Sequence, residues 1–234
     1  MNLGSIAENL DEVRGRIGAG CTAAGRSPQH VTLLAVSKTF PAEAVRQALA
    51  AGQHAFGENY VQEALAKIEA LADRRAEIEW HLIGPLQSNK TRVVAEAFDW
   101  VHTVDRLKIA ERLSAQRPPG LAPLNVCLQV NVSGEDSKSG ASFDELPALA
   151  RAVSALPGVR LRGLMSIPEP ADDVAAQRIP HRRLKKALEE LREQGLALDT
   201  LSMGMSADLE AAVLEGATIV RVGSAIFGSR PPPA

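Results

Sequence analysis

The chain has 234 residues, 45% of them hydrophobic, with a formal net charge of −2 and a pI near 6.2. That is ample apolar material for the core of one large α/β domain, and the charge leaves no electrostatic footprint for a nucleic-acid backbone. Cys21 and Cys127 show no CxxC or metal-ligand spacing, and the opening MNLGSIAENLDEVRGRI carries early acids and no apolar run; neither a secretory signal nor a membrane span is expected, and a reducing cytoplasm is the simplest compartment.

The first element expected is an amphipathic helix within residues 1–27, packed on the body of the domain. Ser5 and Glu8 have capping-box spacing, and Ile6, Leu10, Val13 and Ile17 recur at helical intervals. After Pro28, β-rich runs alternate with alanine- and leucine-rich helical stretches. Eight strands are predicted: Val31 to Ser37, Ala55 to Asn59, Glu79 to Gly84, Trp100 to Asp105, Leu124 to Asn131, Val159 to Ser166, Thr200 to Gly204 and Ile219 to Gly223. Each of the first seven is followed by a plausible helix. Such alternation implies parallel pairing through right-handed crossovers, and eight units suggest closure as a TIM-type (β/α)8 barrel over a single domain, 1–234, with 230–234 as a tail. An open doubly wound sheet has the same local alternation, so closure is inferred from the count.

In a TIM-type barrel, function collects at the C-terminal strand ends. Those ends carry Lys38, Asn59, Gly84, Asp105, Asn131, Ser166, the MGMS run Met203 to Ser206 and the RVGS run Arg221 to Ser224. Lys38 terminates LLAVSK; partial desolvation there would lower its pKa and favour imine formation with an aldehyde, the alternative being a lysine snorkelling to the rim. Strand seven runs into Gly204, Met205 and Ser206, with a helix expected to open at Ala207 and Asp208 in its first turn; strand eight ends in Gly223 and Ser224. Glycines that let N–H groups approach an anion, a serine hydroxyl and a helix start make a phosphate corner, unless both glycines serve tight turns and Ser206 merely caps a helix.

Other features weigh less. Gly84 to Thr91 imitates a P-loop, but Asn89 replaces the second glycine and Pro85 removes a donor, so Asn89 and Lys90 more plausibly start a helix. His81 and His102 have no partner at metal spacing and read as core or rim histidines. The basic run Arg178 to Lys186 reads as a solvated helix face.

Taken together, LLAVSKTFPAE, AFGENYVQEA, WHLIGPLQSNK, QVNVSGEDSKSG, RGLMSIP and LSMGMSADLEAAVLEGATIVRVGSAIFG resemble the YggS/PROSC family of pyridoxal phosphate homeostasis proteins, from about Val31 to Arg230. The resemblance implies a barrel like the N-terminal domain of alanine racemases. It implies pyridoxal phosphate (PLP) as cofactor, held as a Schiff base on Lys38, with a ring-side contact at Asn59, a guanidinium near the pyridine nitrogen at Arg221, and phosphate contacts from Ser206, Gly223 and Ser224. The departure is the helix after RGLMSIP, expected to begin at QRIPHRRLKKAL, where Pro180 and His181 replace bulkier residues. The expected role is PLP delivery to recipient PLP-dependent enzymes by a monomer without strong catalysis. The rival is an alanine-racemase-like enzyme. Against it, such enzymes need a further β domain and a tyrosine base, whereas this chain stops soon after strand eight and has one tyrosine, Tyr60, expected to serve in packing. A protonated Arg221 would also keep the ring nitrogen unprotonated and weaken the ring as an electron sink.

Overall fold

The computed structural model describes residues 5–134 and 139–229, so the expected tail at 230–234 lies outside the described residues. The amphipathic helix α1 (Ile6–Ala23) forms as its sequence dictates. The Ser5 N–H donates to Glu8 Oε2 at 2.7 Å and the Glu8 N–H to Ser5 Oγ at 3.3 Å, closing the capping box. Leu10, Val13, Ile17 and Cys21 lie buried on its inner stripe.

Eight strands follow, β1 (Thr32–Val36), β2 (Ala55–Glu58), β3 (Glu79–Leu82), β4 (Trp100–Val104), β5 (Leu124–Gln129), β6 (Val159–Met165), β7 (Thr200–Ser202) and β8 (Ile219–Val222). All pair in parallel in chain order, and β8 returns to β1, with Leu33 beside Val220 and Leu34 beside Arg221. The sheet is therefore a closed barrel, which resolves the alternative of an open doubly wound sheet. Between strands run α2 (Ala42–Ala50), α3 (Val61–Ala70), α4 (Thr91–Ala97), α5 (Leu107–Gln116), α6 (Leu146–Ser154), α7 (Val174–Glu193) and α8 (Leu209–Leu214), with a single-turn α9 (Ser224–Phe227) after β8.

The pleat divides the apolar residues in two. Outward positions such as Leu33, Ala35, Phe56 and Val220 join the helices in one large core; inward positions Leu34, Val36, Ile83, Trp100, Cys127, Met165 and Ile219 form a smaller cluster inside the barrel.

Three helix starts differ from expectation. Helix α7 opens at Val174, because the Asp173 carboxylate accepts the Ala176 N–H at 2.8 Å and caps it there; Pro180 is carried inside the helix, where it lacks a donor for the preceding turn. Helix α8 opens at Leu209 and not at Ala207, because residues 206–208 are spent in a turn. A 3-10 turn (Ser88–Lys90) also precedes α4, so the helix of the false P-loop opens at Thr91.

Candidate functional site

At the C-terminal end of the barrel lies a cavity of about 420 Å³. Lys38, Asn59, Ser206, Arg221, Gly223 and Ser224 all line it, together with Val36, Ile83, Ile167 and Met205. The barrel thus gathers onto one wall-to-wall surface six residues that span nearly 190 positions of chain.

Lys38 sits in a turn closed by the Phe40 N–H donating to the Ser37 carbonyl at 3.1 Å. The next residue, Thr39, is β-branched yet has φ +68°, a left-handed conformation costing on the order of 1–3 kcal/mol. Its N–H is held by Glu63 Oε1 at 2.6 Å. Beneath the turn, the buried Lys67 ammonium donates to the Ser37 carbonyl at 2.6 Å, to Glu58 Oε1 at 2.8 Å and to Glu63 Oε1 at 2.7 Å, and Ser37 Oγ donates to Glu58 at 2.5 Å. Burial pushes the Glu58 carboxyl above its ordinary value, against the pull of Lys67 and Ser37. One buried cation therefore ties both flanks of Lys38 to β2 and α3.

Asn59 follows β2 and approaches the cavity because Gly84 has no side chain: a Cβ there would lie 2.0 Å from the Asn59 carbonyl oxygen. Asn59 Oδ1 is buried without a hydrogen-bond partner.

The opposite wall is the Met205–Asp208 turn and the start of α9. Gly204 enters the turn at φ +93°, and a Cβ on it would meet the Ala212 Cβ at 2.4 Å. The Met205 N–H donates to Asp208 Oδ1 at 2.7 Å, and Asp208 Oδ2 meets His181 Nε2 at 2.8 Å. Burial opposes ionisation of Asp208, but the contacts from His181 and the Met205 N–H hold its carboxyl below the usual range. The turn leaves the N–H groups of Ser206 and Ala207 without a backbone partner among the described residues. The Ser224 and Ala225 N–H groups, in the first turn of α9, have none within their helix. These loop donors, and not a helix opening at Ala207, line this edge of the cavity. Helix α1 braces it from behind. Arg16 donates to the Ser206 carbonyl at 2.9 Å while paired with Glu210, and Asn9 donates to the Ile226 carbonyl at 2.8 Å.

Arg221 projects from β8 toward the barrel axis, 4% exposed. Burial lowers its pKa to about 10, which leaves it protonated at neutral pH. It donates to Ser202 Oγ and to the Ser166 carbonyl, both at 2.8 Å.

Other strand ends do not converge there. Asp105 lines a neighbouring groove that shares Asn59, Ile83 and Ile167. Asn131 Oδ1 accepts from Ser133 Oγ and the Gly134 N–H, and Met203 is buried in the core. His81 and His102 are fully buried, and no group of three metal-binding side chains occurs among the described residues. Tyr60 does not pack as expected: it precedes α3 on the rim, 57% exposed. Nor is the basic run simply solvated, since Arg178 and Arg182 pair with Glu215 at 2.6 and 2.9 Å and Arg183 donates to the Val132 carbonyl. The support beneath Lys38 escaped the sequence reading, although a glutamate closing the apolar strand AFGE and the Glu63–Lys67 spacing on one helix face were its visible traces.

No helix among the described residues is long and apolar enough to cross a membrane. The family model for the alanine racemase N-terminal domain matches residues 1–231. The chain is 63% identical over 228 residues to the pyridoxal phosphate homeostasis protein of Pseudomonas aeruginosa, covering 97% of each. It superposes with a TM-score of 0.84 on PipY of Synechococcus elongatus PCC7942 in its structure with PLP bound, at 41% identity over 96% of this chain and 100% of that one. Alanine racemase from Corynebacterium glutamicum shares the fold alone, at 20% identity and a TM-score of 0.67 over 95% of this chain and 62% of that one. With sequence relationship, closed barrel and strand-end cavity in agreement along nearly the whole chain, this protein belongs to the pyridoxal phosphate homeostasis family.

Proposed function

We propose that this protein binds PLP in the strand-end cavity, with Lys38 as the attachment amine, and holds and releases it as a carrier serving PLP homeostasis. The observation that carries the reading is the arrangement of one cavity: an amine on one wall, loop N–H donors and a serine hydroxyl on the other, and a buried guanidinium between them.

The polar atoms suit an anionic pyridine aldehyde. A phosphate dianion matches Ser206 Oγ and the N–H groups of Ser206, Ala207 and Ser224, with the glycine at 223 allowing close approach. Arg221 can only donate, so it favours a ring nitrogen that carries no proton. The unpartnered Asn59 Oδ1 offers an acceptor at the ring side. Val36, Ile83 and Ile167 give the ring apolar contact. When bound, the cofactor supplies an aldehyde that condenses reversibly with the lysine amine, releasing one water. The protein's part is to present Lys38 through the strained, clamped turn at Thr39, to hold the phosphate, and to keep the ring nitrogen bare.

That last property favours a carrier over a racemase, because an unprotonated ring stabilises a carbanion poorly. Tyr60, the chain's one tyrosine, is not among the described residues lining the cavity, so it is not placed there as a racemase-type base. The test is borohydride reduction of PLP-treated protein followed by peptide mapping. A stable adduct on Lys38 and negligible conversion of L-alanine to D-alanine are expected. An adduct chiefly on Lys90 or Lys138 refutes the attachment site, and substantial racemisation abolished by Lys38→Ala refutes the carrier.

A further inference from the structure

Inside the barrel, below the cavity, polar side chains join end to end. Arg221 Nη1 lies 2.8 Å from Ser202 Oγ, Ser202 Oγ 2.7 Å from His102 Nδ1, His102 Nε2 2.8 Å from His81 Nδ1, and His81 Nε2 2.8 Å from Glu79 Oε1. Arg221, Ser202, His102 and His81 are all buried, whereas Glu79, the first residue of β3, is about half exposed at the opposite face of the barrel.

The chemistry at the two ends fixes how every proton points. A guanidinium can only donate, so Ser202 Oγ accepts from Arg221. The hydroxyl's own proton then goes to His102 Nδ1, its other partner among the described residues. Full burial drives the His102 pKa well below its ordinary value, so that ring carries one proton. That proton must sit on Nε2 and be donated to His81 Nδ1. The far end agrees, because a carboxylate can only accept, which puts a proton on His81 Nε2, facing Glu79, while His81 Nδ1 accepts from His102.

We propose that Glu79, His81, His102 and Ser202 form a one-way hydrogen-bond column that holds Arg221 as a donor toward the cavity, making both histidines positioning residues for the cofactor ring. The column answers how a guanidinium with no ion-paired carboxylate among the described residues stays oriented in a barrel interior: the nearby charge of Asp208 favours its protonated form, and Ser202 holds it through hydrogen-bond dipoles that align toward Glu79. It lies within a fixed frame. His81 stacks on Trp100 at 5.3 Å between ring centres, the Arg162 guanidinium lies over the Trp100 ring at 4.7 Å from its centre, and Arg162 is itself paired with Asp199 and bonded to Asn125. Reversing the column would turn a His102 N–H toward an oxygen that already accepts from Arg221, leaving the hydroxyl proton of Ser202 without its acceptor.

The direction can be read in cofactor-free protein by nitrogen NMR of the imidazoles. Both rings are expected to carry their proton on Nε2 and none on Nδ1 at pH 7; an Nδ1–H on either ring overturns the column. Its effect on the site rests on the PLP reading above and is tested separately, by PLP titration followed through visible absorbance. Glu79→Ala is expected to mix the His81 tautomers, shift the absorbance maximum and weaken PLP binding by about three- to tenfold, a typical magnitude for coupling carried through such a network. Glu79→Gln, which keeps an acceptor for His81, should retain affinity within about twofold of wild type. His102→Leu should break the column at its centre and give the larger loss; if that variant does not fold, half-exposed Glu79 still decides. A Glu79→Ala protein with wild-type tautomers, spectrum and affinity overturns the proposal. Wild-type protein that shows Nε2–H rings but binds no PLP refutes the cofactor reading and leaves the column standing.

Discussion

Replacing Lys67 by methionine keeps an unbranched stem of similar length and removes one buried ammonium. In the native protein that ammonium makes three hydrogen bonds of 2.6–2.8 Å and faces Glu58, whose side chain is fully buried and whose Oε2 already lacks a partner. Removing one member of a buried pair leaves an uncompensated charge, for which about 3–5 kcal/mol of lost stability is usual. Glu58 can escape by binding a proton, and its carboxyl already stands above its ordinary value because of burial. Losing Lys67 raises it further. An acid whose folded-state pKa is raised takes up protons on folding, so stability falls as pH rises from its unfolded value, about 4.3, toward its folded one. The penalty of Lys67→Met should therefore be smallest near pH 5 and grow toward pH 8, by at most about 1.4 kcal/mol per pH unit. Urea unfolding at the two pH values measures it. Adding Glu58→Gln to Lys67→Met should recover much of the loss at pH 8. A penalty under about 1 kcal/mol, or one of equal size at both pH values, would refute the description of Lys67 as the charge that holds the Lys38 turn.

Three further outcomes follow from the site. Ser206→Ala should weaken PLP binding by about ten- to a hundredfold, the loss of one charge-assisted hydrogen bond of roughly 1.5–3 kcal/mol, and pyridoxal without its phosphate should bind poorly to wild type; equal titration curves for the two ligands would remove the anion edge. Gly84→Ala places a Cβ 2.0 Å from the Asn59 carbonyl oxygen, so it should lower the urea midpoint and displace Asn59; an unchanged midpoint and unchanged PLP affinity would contradict that close approach. Cys127 lies inside the barrel with its thiol pushed up to about 12 by burial, so it should resist iodoacetamide at pH 8 in folded protein and react in urea; rapid alkylation of native protein would show that the interior opens.

Much of this was legible along the chain because barrel strands are short, local and strongly patterned. Ala55, Glu79, Trp100, Leu124, Val159, Thr200 and Ile219 open strands at the expected residues. The strand ends run one or two residues shorter than expected, since there the backbone leaves the ladder to form the cavity rim. Helix starts were less legible where a turn intervened: Ala207 and Asp208 have helix-start composition, but the Asp208 carboxylate is drawn off to the Met205 N–H and His181.

Local pattern determined the elements, their alternation and the short list of strand-end residues, including Lys38 and the Gly223–Ser224 pair, because periodicity and turn chemistry act over a few neighbouring residues. Only the tertiary structure decided that β8 closes on β1, that Tyr60 stands in solvent, and that Lys67 and the His81–His102 column are buried. A charged side chain carries no mark of what will surround it. Whether Lys67 is a solvated lysine or a buried clamp depends on Ser37 and Glu58, contributed by two other strand ends, and such desolvation and pairing exist only once the barrel has closed.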